Sequence, residues 1–534
     1  AEKIEQSLHE YVNACIKIFL MRYEKLINRK VEIVPHNALL SVKSLVSVMD
    51  LSPHKLYLFI DEYDNFANEV FMQPIDKLND PEWLQKSVAQ QQKYNRLVTG
   101  ESLFKTLLKA VKTAASGIGL DRVFMTGVSP TVLNDATSGP NTFKDVTWRY
   151  NLNDLCGFNE AEVEWMLGEV IRTCEFAESK TLSQEMLKQM RTFYDGSRFA
   201  TQMPHKRTEE IPRVYNPTLT FYFLEEFQDM CTYPEEMLDS NLASDRNKLE
   251  YLTAHQQGRK LLLDALHEDS HPLTLADIDD EDIEELVTVS TLRRRFGMKE
   301  LSKDNHQRES MATLLTYLGV LTVSGKTPGG SIRLTIPNLV IRQLYAERAL
   351  QMMSKEDTTL LTQAMTASEI LFERANLQPL CTFIEQHLLA VFDNRDYREF
   401  DELTLKTIFI SMLYYKNIYI MDSEPAIIQQ YGDLLMMLRP GMRDMGLYDF
   451  LFEFKFLKLK QVIVDGAPLK GAEVAGKSMA ELLAIESIKD EMESAKKQLR
   501  QYRQGLQHKY GAALKLRTFA VVGVGLKRVI WEPV

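Results

Sequence analysis

The stretch Leu447–Leu457, LYDFLFEFKFL, constrains this chain more than any other. Apolar and aromatic residues fill it, and two charges, Glu453 and Lys455, sit two positions apart near its centre. In a strand, residues i and i+2 point to one face. The two charges therefore project side by side from a strand whose neighbours suit a sheet interior. A buried charge is costly unless it is paired or bound to a metal. Two readings follow. In one, Glu453 holds Mg²⁺ and Lys455 positions or polarises an attacking water, which makes a metal-dependent phosphodiesterase centre. In the other, this is an edge strand carrying a cross-strand ion pair.

Residues upstream extend the pattern. Asp433 lies in QQYGDLLMML, a second apolar strand entered from a Tyr-Gly turn. A hairpin through Arg439–Asp444 joins it to the Glu453 strand. Adjacent strands lie about 4.8 Å apart, so both carboxylates can reach one cation. Hard oxygen ligands at that spacing suit Mg²⁺ or Mn²⁺. This D…ExK layout resembles the PD-(D/E)XK nuclease superfamily, and more closely the nuclease domain that ends many bacterial proteins called AAA-ATPase-like. The resemblance implies that Asp433 and Glu453 bind the metal and that Lys455 assists the water. It implies supporting roles for Glu402 in REFDELTLKTIF, on a helix ahead of the first strand, and for Glu424 just before the Asp strand. It implies a further role for Gln498 in AKKQLRQYRQ, on the helix after ExK, with Tyr502 one turn on. Where that pattern usually has Gly-Arg ahead of the Asp, this chain has Gln430 and Tyr431.

A second pattern lies near the start. Lys55–Glu62, KLYLFIDE, is an apolar strand running into Asp61 and Glu62. In a Walker B arrangement the Asp binds the nucleotide's Mg²⁺ and the Glu orients the hydrolytic water. Such ligands bind at the carboxyl end of a parallel sheet. The plainer reading of Asp-Glu is a capped strand end. LFIDEYDNF resembles the LIDEYD signature of the same AAA-ATPase-like family. By that resemblance Asp121–Pro130, DRVFMTGVSP, is the sensor strand, with Thr126 as its polar group. LCGFNEAEV, FYDGSRF, VYNPTLTFYFL, LLTYLGVLTV and LTIPNLVIRQL follow in the family's order. The phosphate loop G-x-x-x-x-G-K-[ST] that an ATPase requires is not found. The nearest string, ending at Gly325-Lys326-Thr327, has five residues between its glycines and runs into Pro-Gly-Gly, which reads as a hairpin tip. ATP is therefore expected only if a loop precedes Ala1.

The expected fold is α/β and multidomain. It comprises a P-loop-type AAA-like parallel sheet domain lacking the phosphate loop over 1–217 and a helical, winged-helix-like region over 218–345. A helical connector over 346–377 and a restriction-endonuclease-like α/β/α domain over 378–534 complete it. In the middle region, Arg293-Arg294-Arg295 reads either as a phosphate contact or as a solvated helix end. The expected function is a Mg-dependent nuclease acting on DNA or RNA under an AAA-ATPase-like regulatory domain. The alternative is a catalytically degenerate scaffold that binds protein or nucleic acid. A homo-oligomer is also expected by analogy.

Charge bears on the partner. The formal net charge is −11, unfavourable for nucleic acid, but from Lys455 onward 15 Lys and Arg stand against 8 Asp and Glu. A basic nuclease domain on an acidic body is consistent with phosphate contact, as is a solvated helix face around Lys489–Arg503. No apolar run reaches 18 residues, so no membrane span is expected. Cys15, Cys156, Cys174, Cys231 and Cys381 form no CxxC pair, which argues against a zinc site or a disulfide framework and suits a reducing, cytoplasmic interior.

Overall fold

A computed structural model of the chain describes residues 2–27, 29–65, 103–117, 119–128, 130, 143–174, 179–201, 211–238, 249–250, 253, 256–267, 307–326, 332–354, 357–389, 402–414, 418–423, 426–427, 430–431, 434–511 and 514–534. The architecture is mixed α/β and divides into two compact units. One comprises residues 1–146, 250–255 and 278–318; the other comprises 147–249, 256–277 and 319–534. The triplet at Arg293–Arg295 and the tip of the predicted hairpin lie outside the described residues.

The first unit begins with α1 (Glu2–Tyr23) and α2 (Ala38–Asp50). Val12, Ile16 and Phe19 of α1 pack against Leu45 and Met49 of α2. Asn37 caps α2, its side chain accepting from the Leu40 amide. Two strands follow, β1 (Leu56–Ile60) and β2 (Leu120–Met125), with α3 (Leu103–Ala115) leading into β2. They pair in parallel, from Leu56↔Leu120 to Ile60↔Met125. Val46, Val111, Ala114 and Leu120 bury one face of this sheet together with Leu58 and Val123.

The second unit opens with α4 (Glu160–Thr173), α5 (Ser179–Tyr194) and α6 (Pro217–Met230). Their starts are written locally. Asn159 and Glu162 form a reciprocal capping box on α4, and Asn216 caps α6 with Pro217 inside its first turn. Tyr194, Phe223, Phe227 and Tyr233 make an aromatic cluster among them. After α7 (Gln256–His267) comes a hairpin of β3 (Thr322–Lys326) and β4 (Ile332–Thr335), then α8 (Leu339–Met353), α9 (Thr358–Arg374) and α10 (Glu402–Leu413).

A five-stranded sheet completes the unit. Its strands are β5 (Tyr419–Ser423), β6 (Leu434–Leu438), β7 (Asp449–Leu457), β8 (Leu516–Val524) and β9 (Arg528–Pro533), lying side by side in chain order. β5, β6 and β7 run antiparallel in turn, β7 and β8 are parallel, and β9 turns back on β8. The parallel pair requires a long crossover, and α11 (Glu486–Tyr510) lies within it. Alternation along β7 sends Phe450, Phe452 and Phe454 to one face, where they meet Phe372, Phe409 and Phe519. The opposite face carries Leu451 and Leu457, packed against Ile488, Met492, Ala495, Leu499, Tyr502 and Leu506 of α11. Gly523 lets the first face close, since a Cβ there would meet Phe456 at 2.7 Å.

One expectation is corrected. Cys174 and Cys231 form a disulfide across 57 residues. They stand at the C-terminal ends of α4 and α6, two helices that fold together, a proximity that sequence spacing does not encode. The absence of CxxC pairs was therefore no argument against a disulfide. Among the described residues, no helix is long and apolar enough to cross a membrane.

Candidate functional site

Glu453 and Lys455 stand on the α11 side of β7, the face they share with Leu451 and Leu457. Their neighbours on β8 are Ala520 and Val522, so the small Ala520 side chain lies beside Glu453. Glu453 is 2% exposed, and the Lys455 side chain 17%. Lys455 Nζ donates to Glu453 Oε1 at 3.1 Å and to the Phe454 carbonyl at 2.9 Å. It also lies 3.7 Å from Glu402 Oε1, at the first residue of α10. An ammonium between two carboxylates compensates the charge that a nearly buried Glu453 carries.

The structure thus gathers three of the side chains singled out in the sequence: Glu402, Glu453 and Lys455. Gln498 lies on α11 within the stripe set by Ala495 and Tyr502, the face turned to the sheet. Its Oε1 is shielded from solvent and has no hydrogen-bond partner among the described residues. Asp433 and Glu424 lie outside the described residues. Leu434, which follows Asp433 in sequence, pairs with Phe452, which precedes Glu453. Among the described residues, no group of three or more His, Cys, Asp and Glu side chains is arranged to hold a metal. Glu453 and Glu402 offer carboxylate oxygens, the donor type that Mg²⁺ and Mn²⁺ take.

Sequence reasoning passed over the groups that stiffen this hairpin. Asp449, fully buried at the start of β7, accepts from the Leu438 amide at 2.8 Å, the Lys515 amide at 3.0 Å and Arg443 at 3.3 Å. Arg439, also buried, donates to the carbonyls of Pro234 and Glu235, and burial lowers its pKa to about 10. The available signal was a lone acid opening an apolar strand.

In the first unit, Asp61 and Glu62 follow β1 directly, and Thr126 follows β2. Parallel pairing brings the two strand ends together. The Thr126 amide donates to the Ile60 carbonyl at 2.9 Å, and the Tyr63 amide to the Thr126 carbonyl at 3.1 Å. The Thr126 hydroxyl donates to Asp61 Oδ1, which also accepts from the Glu62 amide at 3.0 Å. Asp64 is buried and accepts from the Val128 amide at 3.0 Å. Gly127 permits this closeness, because a Cβ there would lie 2.5 Å from both Asp64 Oδ1 and the Tyr63 ring. Asp61, Glu62 and Thr126, the residues expected at a nucleotide, therefore stand at the carboxyl ends of two parallel strands.

Residues 1–137 match a family model described as "AAA-ATPase_like: Predicted AAA-ATPase", and this segment is an AAA-ATPase-like domain. The match ends well before the five-stranded sheet. Comparison with curated proteins and with solved structures finds no match.

Proposed function

We propose that this chain is a Mg-dependent nuclease whose five-stranded sheet hydrolyses phosphodiester bonds of DNA or RNA under control of the AAA-ATPase-like domain. The observation that carries the reading is the placement of Lys455 Nζ, 3.1 Å from Glu453 Oε1 and 3.7 Å from Glu402 Oε1, on a strand whose other residues, Asp449 apart, are apolar. A purely structural strand has no need of two acids and a lysine at one point. Glu453 and Asp433 would hold the ion. Bound Mg²⁺ would supply positive charge for the phosphate and acidify a water. Lys455 orients the water and returns charge balance to Glu453. Glu402 holds the Lys455 ammonium in place, and Gln498 offers a shielded amide oxygen on the helix facing the sheet.

At the other site, Asp61 and Glu62 serve a nucleotide's metal, and Thr126 orients Asp61. The sequence contains no G-x-x-x-x-G-K-[ST] loop, so ATP binds this domain only where such a loop is supplied from outside residues 1–534.

Calorimetric titration with Mn²⁺ tests the metal. The intact chain is expected to bind the ion, Asp433→Asn and Glu453→Gln to lose it, and Lys455→Ala to keep it. No binding by the intact chain, or equal binding by all variants, would overturn the reading.

A further inference from the structure

At the far end of the same sheet lies a cavity of about 520 Å³, within the size range of small-ligand sites. Its lining takes Tyr448 from the residue before β7, Arg503 and Gln507 from α11, and Lys515 and Arg517 from the start of β8. No acid lines it. Arg503 and Arg517 each have a fixed partner, and Lys515 is anchored at its amide. Arg503 Nη1 donates to the Val534 carbonyl at 3.0 Å. The Lys515 amide is fixed by Asp449 Oδ2 at 3.0 Å while its side chain is exposed. The Arg517 guanidinium lies 4.6 Å over the Tyr448 ring, a cation–π pair that holds its plane. The C-terminal end of α11 contributes about half a negative charge nearby, well short of three cations.

We propose that this cavity binds phosphates of a nucleic-acid strand, as a backbone-holding subsite separate from Glu453. The choice of ligand rests on the nuclease reading. Five residues separate Tyr448 from Glu453, about 17 Å at ~3.4 Å per residue. At ~3.4 Å of duplex axis per phosphate of one strand, that distance corresponds to about five phosphates. The fork of Arg517 suits phosphate oxygens, and Tyr448 offers a ring on which a base can stack.

The test is anisotropy with a labelled single-stranded DNA and a labelled single-stranded RNA, in EDTA, across a salt series. The intact chain is compared with Lys515→Ala/Arg517→Ala, which alters two exposed side chains, and with Glu453→Gln. Each phosphate contact of a single strand contributes ~0.7 to the slope of log affinity against log salt. The double variant is therefore expected to lose about 1.4 from that slope, with an unchanged melting temperature, and Glu453→Gln to bind as the intact chain does. An unchanged slope in the double variant, or no binding by the intact chain, would overturn the subsite. Displacement of the strand by micromolar inorganic phosphate or ATP would also overturn it, by making this a small-anion site. A lost slope together with no cleavage by the intact chain in Mg²⁺ supports the subsite and sinks the nuclease reading instead.

Discussion

Thr126 donates its hydroxyl to Asp61 Oδ1 across 65 residues, joining the carboxyl ends of the two parallel strands of the first unit. The bond holds the Asp61 carboxylate in one orientation beside Glu62. Net hydrogen bonds of this kind contribute about 1 kcal/mol. Thr126→Val is expected to lower stability by about that much in urea unfolding, and Thr126→Ser to restore most of it. Equal stability of Thr126→Val and the parent would show that the hydroxyl does not hold Asp61.

The Asp195 carboxyl, buried behind α5, is held above its usual range chiefly by loss of solvent, with the Gly196 amide pulling the other way. A carboxyl raised in the folded state binds its proton more tightly there than in the unfolded chain. Folding therefore carries a penalty that is absent below the unfolded value of about 3.9 and complete above the folded one. Asp195→Asn is expected to raise the melting temperature at pH 7.5 and to leave it nearly unchanged at pH 3.5. A lower melting temperature at pH 7.5 would contradict this.

The disulfide between Cys174 and Cys231 closes a loop of 57 residues. Loop closure of that length is worth about 4 kcal/mol in the chain-entropy account. Cys174→Ser and Cys231→Ser are each expected to lower stability by a similar amount under oxidising conditions, and the pair together by no more than either alone. Added reductant should remove the difference between variants and parent. Additive losses would show that the two thiols act independently.

Asp449 anchors three elements, taking amides from Leu438 and Lys515 and the guanidinium of Arg443. Asp449→Ala strands a partly buried arginine and two amides, and is expected to cost about 3–5 kcal/mol. Arg443, a third exposed, is expected to cost about 1 kcal/mol or less as Arg443→Ala. Chemical denaturation of both variants checks the order, and a larger loss for Arg443→Ala would reverse the assignment.

Much of the skeleton could be read from local pattern. The apolar run LYLFI ahead of Asp61 and Glu62 marked β1, and the apolar and aromatic stretch around Glu453 and Lys455 marked β7. Glu453 and Lys455 were legible as a pair because strand alternation puts them on one face, and Glu402 entered only through the family resemblance. What was not legible depends on distant pairing. Arg439 finds its carbonyl partners some 204 residues away, and Cys174 its partner 57 away. The stretch 346–377 reads as a connector, yet its Phe372 packs on Tyr419 and Phe450 of the sheet. The basic cavity likewise joins the end of α11 to the starts of β7 and β8, a juxtaposition set by the parallel register.

The most direct measurement is cleavage of plasmid DNA and of single-stranded RNA in Mg²⁺ or Mn²⁺ by the intact chain, Glu453→Gln and Lys455→Ala. Removing a metal ligand or a group acting on the water is expected to slow cleavage by about 10²–10⁴ in both variants, with the fold retained. Cleavage at the parent rate in both variants, or none by the intact chain on either substrate, would contradict the account.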